Sequence, residues 1–334
     1  MASVNRLLIV TGSMRSGTSL MGHILQQRPD GRRAHPDLAF DNDESEWVVS
    51  IFSKLRAALG GDKVGYGDTD INVVLTDDLL DALEVTPGSL NDRIAQLRRR
   101  LTDEILRLAP EGPYPDMFGL KRTTMNYEIG LMDALFDDVR LVFTIRDPRD
   151  ILLSHSKRVK SQVTEGKALL ILAYVLANHA MITRLRKQGR EVLAVQYEHA
   201  VEHPVDVARQ LIAHAGLNVE QYDFDGLLTN KVPNNSSFGS GEGTKFVEGG
   251  GITTSSIGRH KTLLEPTVAA FVSYLCGHIL TANDYETSPH NVDWDPKFEP
   301  LLKVMAKRCK QLHISLHAVE ARLKELNAPL TDLS

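Results

Sequence analysis

The chain has 334 residues, of which 42% are hydrophobic and 24% charged, and its formal net charge is −5. This is an ordinary globular composition, and so small a net charge excludes an overall attraction to nucleic acid or to an anionic membrane. Any anion site must therefore be local.

The cysteine content and the hydropathy of the chain indicate the cellular compartment in which the protein works. Two cysteines, Cys276 and Cys309, are too few for a disulfide framework and are typical of a reducing environment. The apolar run at 7–10 is too short for a signal peptide, and no stretch approaches about twenty uninterrupted apolar residues. We expect a cytoplasmic protein without a membrane span.

The first predicted unit is a strand, a glycine loop and a helix. The apolar run at 7–10 leads to Gly12, after which Leu20, Ile24 and Leu25 recur at helical spacing. Backbone N–H groups of such a loop, together with the positive end of the helix dipole, favour an anion. The unit predicts a phosphate site.

The loop differs from a Walker A sequence. Aligned on Gly12 and Gly17, it has Thr18 where a Walker A loop needs lysine, and its basic residue is Arg15. The difference weakens the alternative of a P-loop kinase or NTPase that uses ATP and Mg²⁺.

Two more units repeat this order. A strand at 139–145 runs into Arg146 and a helical pattern, and a strand at 191–196 precedes a helix at about 204–215. Further helices are predicted at 90–108 and 168–186. The alternation predicts an α/β fold, with a P-loop-type, mostly parallel sheet and helices on both faces.

The later segments differ from these units. Residues 238–251 hold six glycines, which predicts a mobile loop and, beside a ligand site, a lid.

From Asp295 the sequence predicts one long C-terminal helix with an apolar stripe of Leu312, Leu316, Val319, Leu323 and Leu326. We favour packing of this stripe onto the body over a homodimer seam. The predicted domains are 1–290 and a helical extension, 291–334.

The glycine loop reads Gly-Ser-Met-Arg-Ser-Gly-Thr-Ser. It resembles the 5′-phosphosulfate-binding loop of sulfotransferases that use 3′-phosphoadenosine 5′-phosphosulfate (PAPS), in the Arg-Ser-Gly-Thr form of tyrosylprotein and many bacterial members. The resemblance implies that the 5′-phosphosulfate is held by Arg15 and by the backbone and hydroxyls of Ser16, Gly17, Thr18 and Ser19.

Three further blocks resemble this family in the expected order. The family binds the 3′-phosphate with an arginine at a strand end and a serine eight positions later, matched here by Arg146 and Ser154, with Arg158 as a further basic position. Tyr197 matches a strand-end tyrosine near the nucleotide. The late block that closes over the nucleotide is matched by Ser255, Ser256 and Arg259, although Thr253 to Ser255 stand where cytosolic members have Arg-Lys-Gly.

Catalysis of sulfuryl transfer requires positioning and charge stabilisation, because the transition state is loose and in-line. Arg15 and Lys121 are the candidates to stabilise the bridging oxygen between sulfur and the 5′-phosphate, which becomes the leaving group. Cytosolic members have a histidine base where this chain has Thr123, whereas tyrosylprotein and many bacterial members use a glutamate after the first helix. Glu46 is our first choice for the base, with Glu44 and His35 as alternatives.

The resemblance thus implies a sulfotransferase that takes a sulfuryl group from PAPS and releases PAP, without a metal or a nucleic acid partner. The acceptor would be a hydroxyl or amine of a small molecule, lipid or saccharide. Besides a kinase or NTPase, a sulfotransferase-like nucleotide-binding protein without turnover stays open.

Overall fold

The computed structural model describes residues 5–26, 32–41, 115–123, 136–229, 254–285, 293–312 and 314–328, together with residues 92, 95, 96, 99, 129, 132, 133, 233, 234, 245, 246 and 252. The candidate bases Glu44 and Glu46 lie outside these residues, as do Thr253 and most of the predicted loop at 238–251 and helix at 90–108.

A five-stranded parallel sheet forms the centre of the fold. Its strands stand in the order β2-β3-β1-β4-β5, namely β1 (Arg6–Gly12), β2 (Leu38–Asp41), β3 (Met117–Lys121), β4 (Asp138–Ile145) and β5 (Val192–Gln196). In the central strand, Leu7 stands beside Phe118 of β3 and Val139 of β4. The predicted parallel α/β sheet is confirmed, and β2 is a short strand that the sequence did not predict.

The helices of the described residues follow the chain as α1 (Thr18–Leu25), α2 (Pro148–Arg158), α3 (Gly166–Leu169), α4 (Ile171–Lys187), α5 (Tyr197–Glu202), α6 (Pro204–His214), α7 (Phe224–Thr229), α8 (His260–Leu263), α9 (Pro266–Ala282), α10 (Phe298–Gln311) and α11 (His317–Glu325). Two short strands, β6 (Pro233–Asn234) and β7 (Lys245–Phe246), pair antiparallel. The predicted helices at 168–186 and 204–215 are confirmed, the first as α3 and α4.

Two large clusters account for many of the buried hydrophobic side chains among the described residues. One joins α1 and α6 to alternate strand residues such as Leu8, Val10 and Val142, which share a face because side chains alternate along a strand. The other joins α2, α3, α4, α9, α10 and α11. The second cluster fixes α2, the helix that follows Arg146.

In the part of the chain that the structure describes, one helical stretch is apolar enough to cross a membrane by length and composition alone. Gly166–Lys187 has a mean hydropathy of 1.6 over its most apolar window, and 78% of that window is buried inside the protein. The segments Thr254–Leu263 and Pro266–Ala282 pass the same test only if counted as one span with a 112° bend. Because Ile171 and Leu172 are fully buried in the second cluster, packing within the fold accounts for the apolar surface of α4.

The prediction of one long C-terminal helix is wrong. The chain forms α10 and α11 instead, and Leu312, at the break between them, is 43% exposed. Val319 and Leu323 are buried in the second cluster, and Arg322 Nε donates to the Leu275 carbonyl oxygen at 3.2 Å. If α10 continued as a straight helix, each further residue would lie about 1.5 Å farther along its axis and away from the second cluster. The turn between α10 and α11 brings Val319 and Leu323 back to that cluster.

The predicted packing of this apolar stripe onto the body is thereby confirmed for Leu316, Val319 and Leu323. The division of the chain near residue 290 stays a prediction.

Candidate functional site

The site lies where β1 and β4 end side by side. From β1 the chain continues to β2 and β3 on one side of the sheet, and it later returns through β4 on the other side. Ligands of open α/β sheets bind at the carboxyl ends of strands, at such a reversal of strand order. The glycine loop after β1 and Arg146 after β4 both lie at this point.

A chain of hydroxyl groups holds the glycine loop against the sheet. Ser16 Oγ donates to the Ser13 carbonyl oxygen at 2.7 Å and lies 2.6 Å from Thr144 Oγ1. Thr144 Oγ1 in turn donates to the Thr11 carbonyl oxygen at 3.2 Å. The expectation that the Ser16 hydroxyl holds the 5′-phosphosulfate therefore needs correction, because this buried hydroxyl turns toward β4 and is used within the loop.

Gly17 allows the ring of Tyr197 to pack on the loop. Its φ is +108°, and a Cβ added there would lie 2.5 Å from Tyr197 Cδ2. Two sequence blocks, the loop and the end of β5, thus meet at a position that has no room for a side chain.

Replacing Gly17 with alanine should both strain the backbone and push Tyr197 away. Gly189→Ala is a matched control, because Gly189 also has a positive φ, +78°, but a Cβ there would meet nothing within 4 Å. We expect Gly17→Ala to lower the free energy of unfolding by at least about 1 kcal/mol more than Gly189→Ala does. Urea unfolding measures the difference, and equal losses would contradict the tight contact.

Arg15 projects from the loop in a strained backbone conformation. Its φ is +71°, which is uncommon for a residue other than glycine. Its Nε donates to Ser154 Oγ of α2 at 3.0 Å. Burial, followed by the cations of Arg146 and Arg158, lowers the pKa of Arg15 to about 10. Several guanidinium groups therefore repel one another here, and a bound anion would relieve that repulsion.

The neighbouring His155 responds to the same charges. Burial and then the Arg15 cation lower the pKa of His155 to about 4, so its imidazole is neutral at pH 7. This side chain therefore adds no positive charge to the group of arginines.

Arg146 links the predicted blocks. It is 7% exposed; its Nη1 donates to the Arg15 carbonyl oxygen at 3.2 Å and its Nη2 to the Ser256 carbonyl oxygen at 2.6 Å. Its guanidinium carbon lies 4.4 Å from the centre of the Tyr197 ring. Its buried Nε has no hydrogen-bond partner among the described residues. A buried cation with an unused donor indicates a site for an anion.

Two other predicted residues lie nearby. Arg259 Nε donates to the Ser255 carbonyl oxygen at 2.5 Å, and burial followed by the Arg146 cation lowers the pKa of Arg259. Arg158 is exposed on α2 and lies within electrostatic reach of Arg15.

Lys121 occupies the carboxyl end of β3, beside Val10 of β1. The backbone continues along β1, since Arg122 N donates to the Val10 carbonyl oxygen at 2.9 Å. Lys121 thus lies at the site's edge of the sheet, and its role stays a prediction.

Glu198, which directly follows Tyr197, also belongs to this site. It accepts from Asp147 N at 3.2 Å and from the Tyr285 hydroxyl at 2.8 Å. Burial raises the pKa of Glu198 despite these hydrogen bonds. The carboxyl group ties the end of β5 to the residue after Arg146 and to the segment after α9.

His35 is unsuited to the role of general base. Its Nε2 donates to the Asn218 carbonyl oxygen at 2.9 Å, and its Nδ1 accepts from Asp37 N at 3.1 Å. Both ring nitrogens of this buried residue hold the backbone, so neither is available to accept a proton. The assignment of Glu46 or Glu44 stays a prediction.

Residues 8–221 match the sequence profile of a family described as the sulfotransferase family. The match covers more than half of the chain. The chain belongs to this family. Its function is therefore that of a sulfotransferase, and the kinase or NTPase alternative is set aside.

Among solved structures, the sulfotransferase resembles the sulfotransferase domain of the olefin synthase from Synechococcus PCC 7002, with a TM-score of 0.48, 17% identity and coverage of 80% of this chain and 90% of that one. A sulfotransferase from Alicyclobacillus acidocaldarius gives a TM-score of 0.41, 15% identity and coverage of 96% and 100%. A retinol dehydratase in complex with androsterone and PAP gives a TM-score of 0.39 and 13% identity, with coverage of 85% of this chain and 83% of that one. No curated protein sequence matches the chain significantly.

Proposed function

We propose that this sulfotransferase takes its sulfuryl group from PAPS and releases PAP, and that the donor binds between the glycine loop and the start of α2. The observation that carries the proposal is the meeting of Arg15, Ser154 and Arg146 at the carboxyl edge of the sheet. These residues come from two separate blocks, each of which resembles one end of the family's PAPS site.

Each end of the donor has its own binding groups in this proposal. Arg15 and the backbone of Gly17, Thr18 and Ser19, at the start of α1, hold the 5′-phosphosulfate. Arg146, Ser154 and Arg158 hold the 3′-phosphate. Because Ser154 Oγ accepts from Arg15 Nε, its own hydroxyl hydrogen is available to donate to a phosphate oxygen.

Tyr197, Ser255, Ser256 and Arg259 complete the nucleotide site. The Tyr197 ring already lies under the Arg146 guanidinium, and Ser256 accepts from that guanidinium through its carbonyl oxygen. The late block would therefore lie against the nucleotide together with its 3′-phosphate arginine.

The proposed reaction forms a bond between the acceptor oxygen or nitrogen and sulfur while the bond from sulfur to the bridging phosphate oxygen breaks. A carboxylate, Glu46 or Glu44, takes the acceptor's proton. Arg15 and Lys121 stabilise the negative charge that develops on the leaving oxygen, an effect that is stronger for partly desolvated cations. The chemistry proposed requires no metal ion.

The proposed acceptor is a hydroxyl or amine of a small molecule, lipid or saccharide, and the proposed location is the cytoplasm. Both rest on the sequence.

The donor is tested by thermal unfolding with PAP and with ATP–Mg²⁺. At a PAP concentration of 100 times its dissociation constant, the native state should gain about 2.7 kcal/mol, which raises the melting temperature by several degrees. Stabilisation by ATP–Mg²⁺ alone would contradict the proposal. PAP release from PAPS in the presence of a panel of hydroxyl and amine acceptors then separates an enzyme from a nucleotide-binding protein without turnover.

A further inference from the structure

The carboxylate of Asp150, in the first turn of α2, binds a segment far along the chain. One of its oxygens accepts from Gly258 N at 2.7 Å, and the other accepts from His260 N at 2.8 Å and from His260 Nδ1 at 3.0 Å. The Asp150 side chain is only 1% exposed. Such a buried carboxylate is stable only because several donors compensate for its lost hydration.

The charge on Asp150 is retained in this setting. Burial alone would raise its pKa, but the hydrogen bonds from the His260 side chain and backbone, together with the Arg146 cation, outweigh burial and lower it. Asp150 is therefore an ionised acceptor at neutral pH.

A second carboxylate faces the other side of His260. Nε2 of His260 lies 3.9 Å from Asp147 Oδ2, and this oxygen accepts from Arg149 Nη2 at 2.6 Å. The imidazole therefore stands between two acidic residues of the start of α2. The Asp147 carboxylate accepts hydrogen bonds from Arg149, whereas the direct hydrogen bond of the His260 ring is made by Nδ1 to Asp150.

These contacts fix the segment of residues 254–260, here called the late segment. Arg146 holds it at the Ser256 carbonyl oxygen, and Asp150 holds it at Gly258 and His260. Gly258 has a φ of +68°, a turn conformation that brings its N–H and that of His260 to the same carboxylate. The late segment also carries Ser255 and Arg259, the other residues proposed to contact the nucleotide.

We propose that Asp150 and His260 are positioning residues that latch the late segment onto α2 and so place Ser256 and Arg259 against the nucleotide. This inference rests on the proposed use of PAPS. Neither residue is assigned a contact with a reacting atom, so the latch should affect nucleotide affinity far more than the chemical step. Breaking it is expected to raise the KM for PAPS and the Kd for PAP about tenfold or more, with less than about a threefold fall in kcat.

Asp150→Asn and His260→Ala break the latch in two different ways. The asparagine amide turns an N–H group toward backbone donors that need an acceptor, and the alanine removes the donor of the imidazole. His260→Asn is the conservative rescue, because its side-chain N–H can replace Nδ1–H. We expect near-normal nucleotide affinity for His260→Asn and weakened affinity for the other two variants.

Asp138→Asn is a matched control. Asp138 is a partly buried carboxylate at the start of β4 that accepts from Arg6 at 3.1 Å and Arg140 at 2.7 Å. It stands at the opposite end of the strand from Arg146, roughly 26 Å away at about 3.3 Å per residue. It should lower stability without changing the KM for PAPS.

Calorimetry with PAP, steady-state kinetics and amide hydrogen exchange at residues 258 and 260 test the latch. Faster exchange at both amides in Asp150→Asn, together with the selective rise in KM, would support it. Wild-type protein that does not bind PAP would overturn the proposed function itself. If the wild type binds PAP and His260→Ala binds it equally well, the latch is wrong, and this comparison holds even if Asp150→Asn does not fold.

Discussion

Replacing Arg146 with alanine is expected to weaken PAP binding by roughly 100-fold or more, the largest effect on affinity that we anticipate. The guanidinium is buried, its Nε has no partner among the described residues, and its two terminal nitrogens hold the carbonyl oxygens of Arg15 and Ser256. The variant therefore loses the charge assigned to the 3′-phosphate as well as the hydrogen bonds that hold two loops.

Arg146→Lys should recover only part of this loss. A lysine restores the charge but cannot make two directed contacts with a planar group or stack in the same way on Tyr197. Intermediate affinity would show that geometry matters as well as charge.

The matched control is Arg140→Ala. Arg140 lies on the same strand but near its start, where its Nε pairs with Asp138 at 2.7 Å. Its loss should leave the Kd for PAP unchanged in calorimetry. Equal binding of PAP by wild type and Arg146→Ala would refute the assignment of Arg146 to the nucleotide.

Replacing Arg15 with glycine should separate stability from activity. Glycine adopts a φ of +71° without strain, which stabilises the loop by about 1 kcal/mol, and loss of the hydrogen bond to Ser154 costs a similar amount. Removal of one of several repelling cations also favours the folded state. The free energy of unfolding is therefore expected to stay within about 1 kcal/mol of wild type.

Turnover by Arg15→Gly should nevertheless fall by roughly 100-fold or more, because the cation assigned to the leaving oxygen is gone. Initial rates of PAP release from PAPS measure this loss, and urea unfolding measures stability in the same preparation. A variant that is stable and retains near wild-type kcat would rule out the catalytic role of Arg15.

Lys160→Gly is a control for the two general effects of Arg15→Gly, namely the loss of a positive charge and the relief of a left-handed backbone conformation. Lys160 is an exposed cation with a φ of +50°, in the turn after α2. Its replacement also removes a positive charge and relieves a left-handed conformation. We expect a small gain in stability and unchanged turnover, which would attribute the effect at Arg15 to its place in the loop.

The sequence anticipated the parts of the site that are local in the chain. β1 contains the apolar run 7–10 and β4 the run 141–143, short stretches of β-prone residues that indicate strands. The residues just after the strands of a parallel sheet lie at one edge of it. The eight-residue spacing from Arg146 to Ser154 needs only the start of one helix. Their meeting with Arg15 results from the adjacency of β1 and β4.

Periodicity was less informative at the C-terminus. A stripe of leucines spaced by three and four fits one long helix, and it fits equally well two helices that turn back onto the same core. The choice depends on the core surface that the apolar stripe can reach, and here the second cluster lies alongside α4 and α9.

The amino-acid sequence by itself determined the parallel sheet apart from β2, the glycine loop after β1 and the position of the arginine after β4, because each depends on neighbouring residues and on the rule that parallel strands end at one edge. Only the tertiary structure decided that the Ser16 hydroxyl turns toward Thr144 and that both nitrogens of His35 hold the backbone. It also decided that Asp150 accepts hydrogen bonds from His260, 110 residues away in the chain, and that Glu198 accepts one from Tyr285, 87 residues away. The physical reason is that a hydrogen bond depends on where atoms lie in space, and residues so far apart in the chain share no local pattern that would place them together.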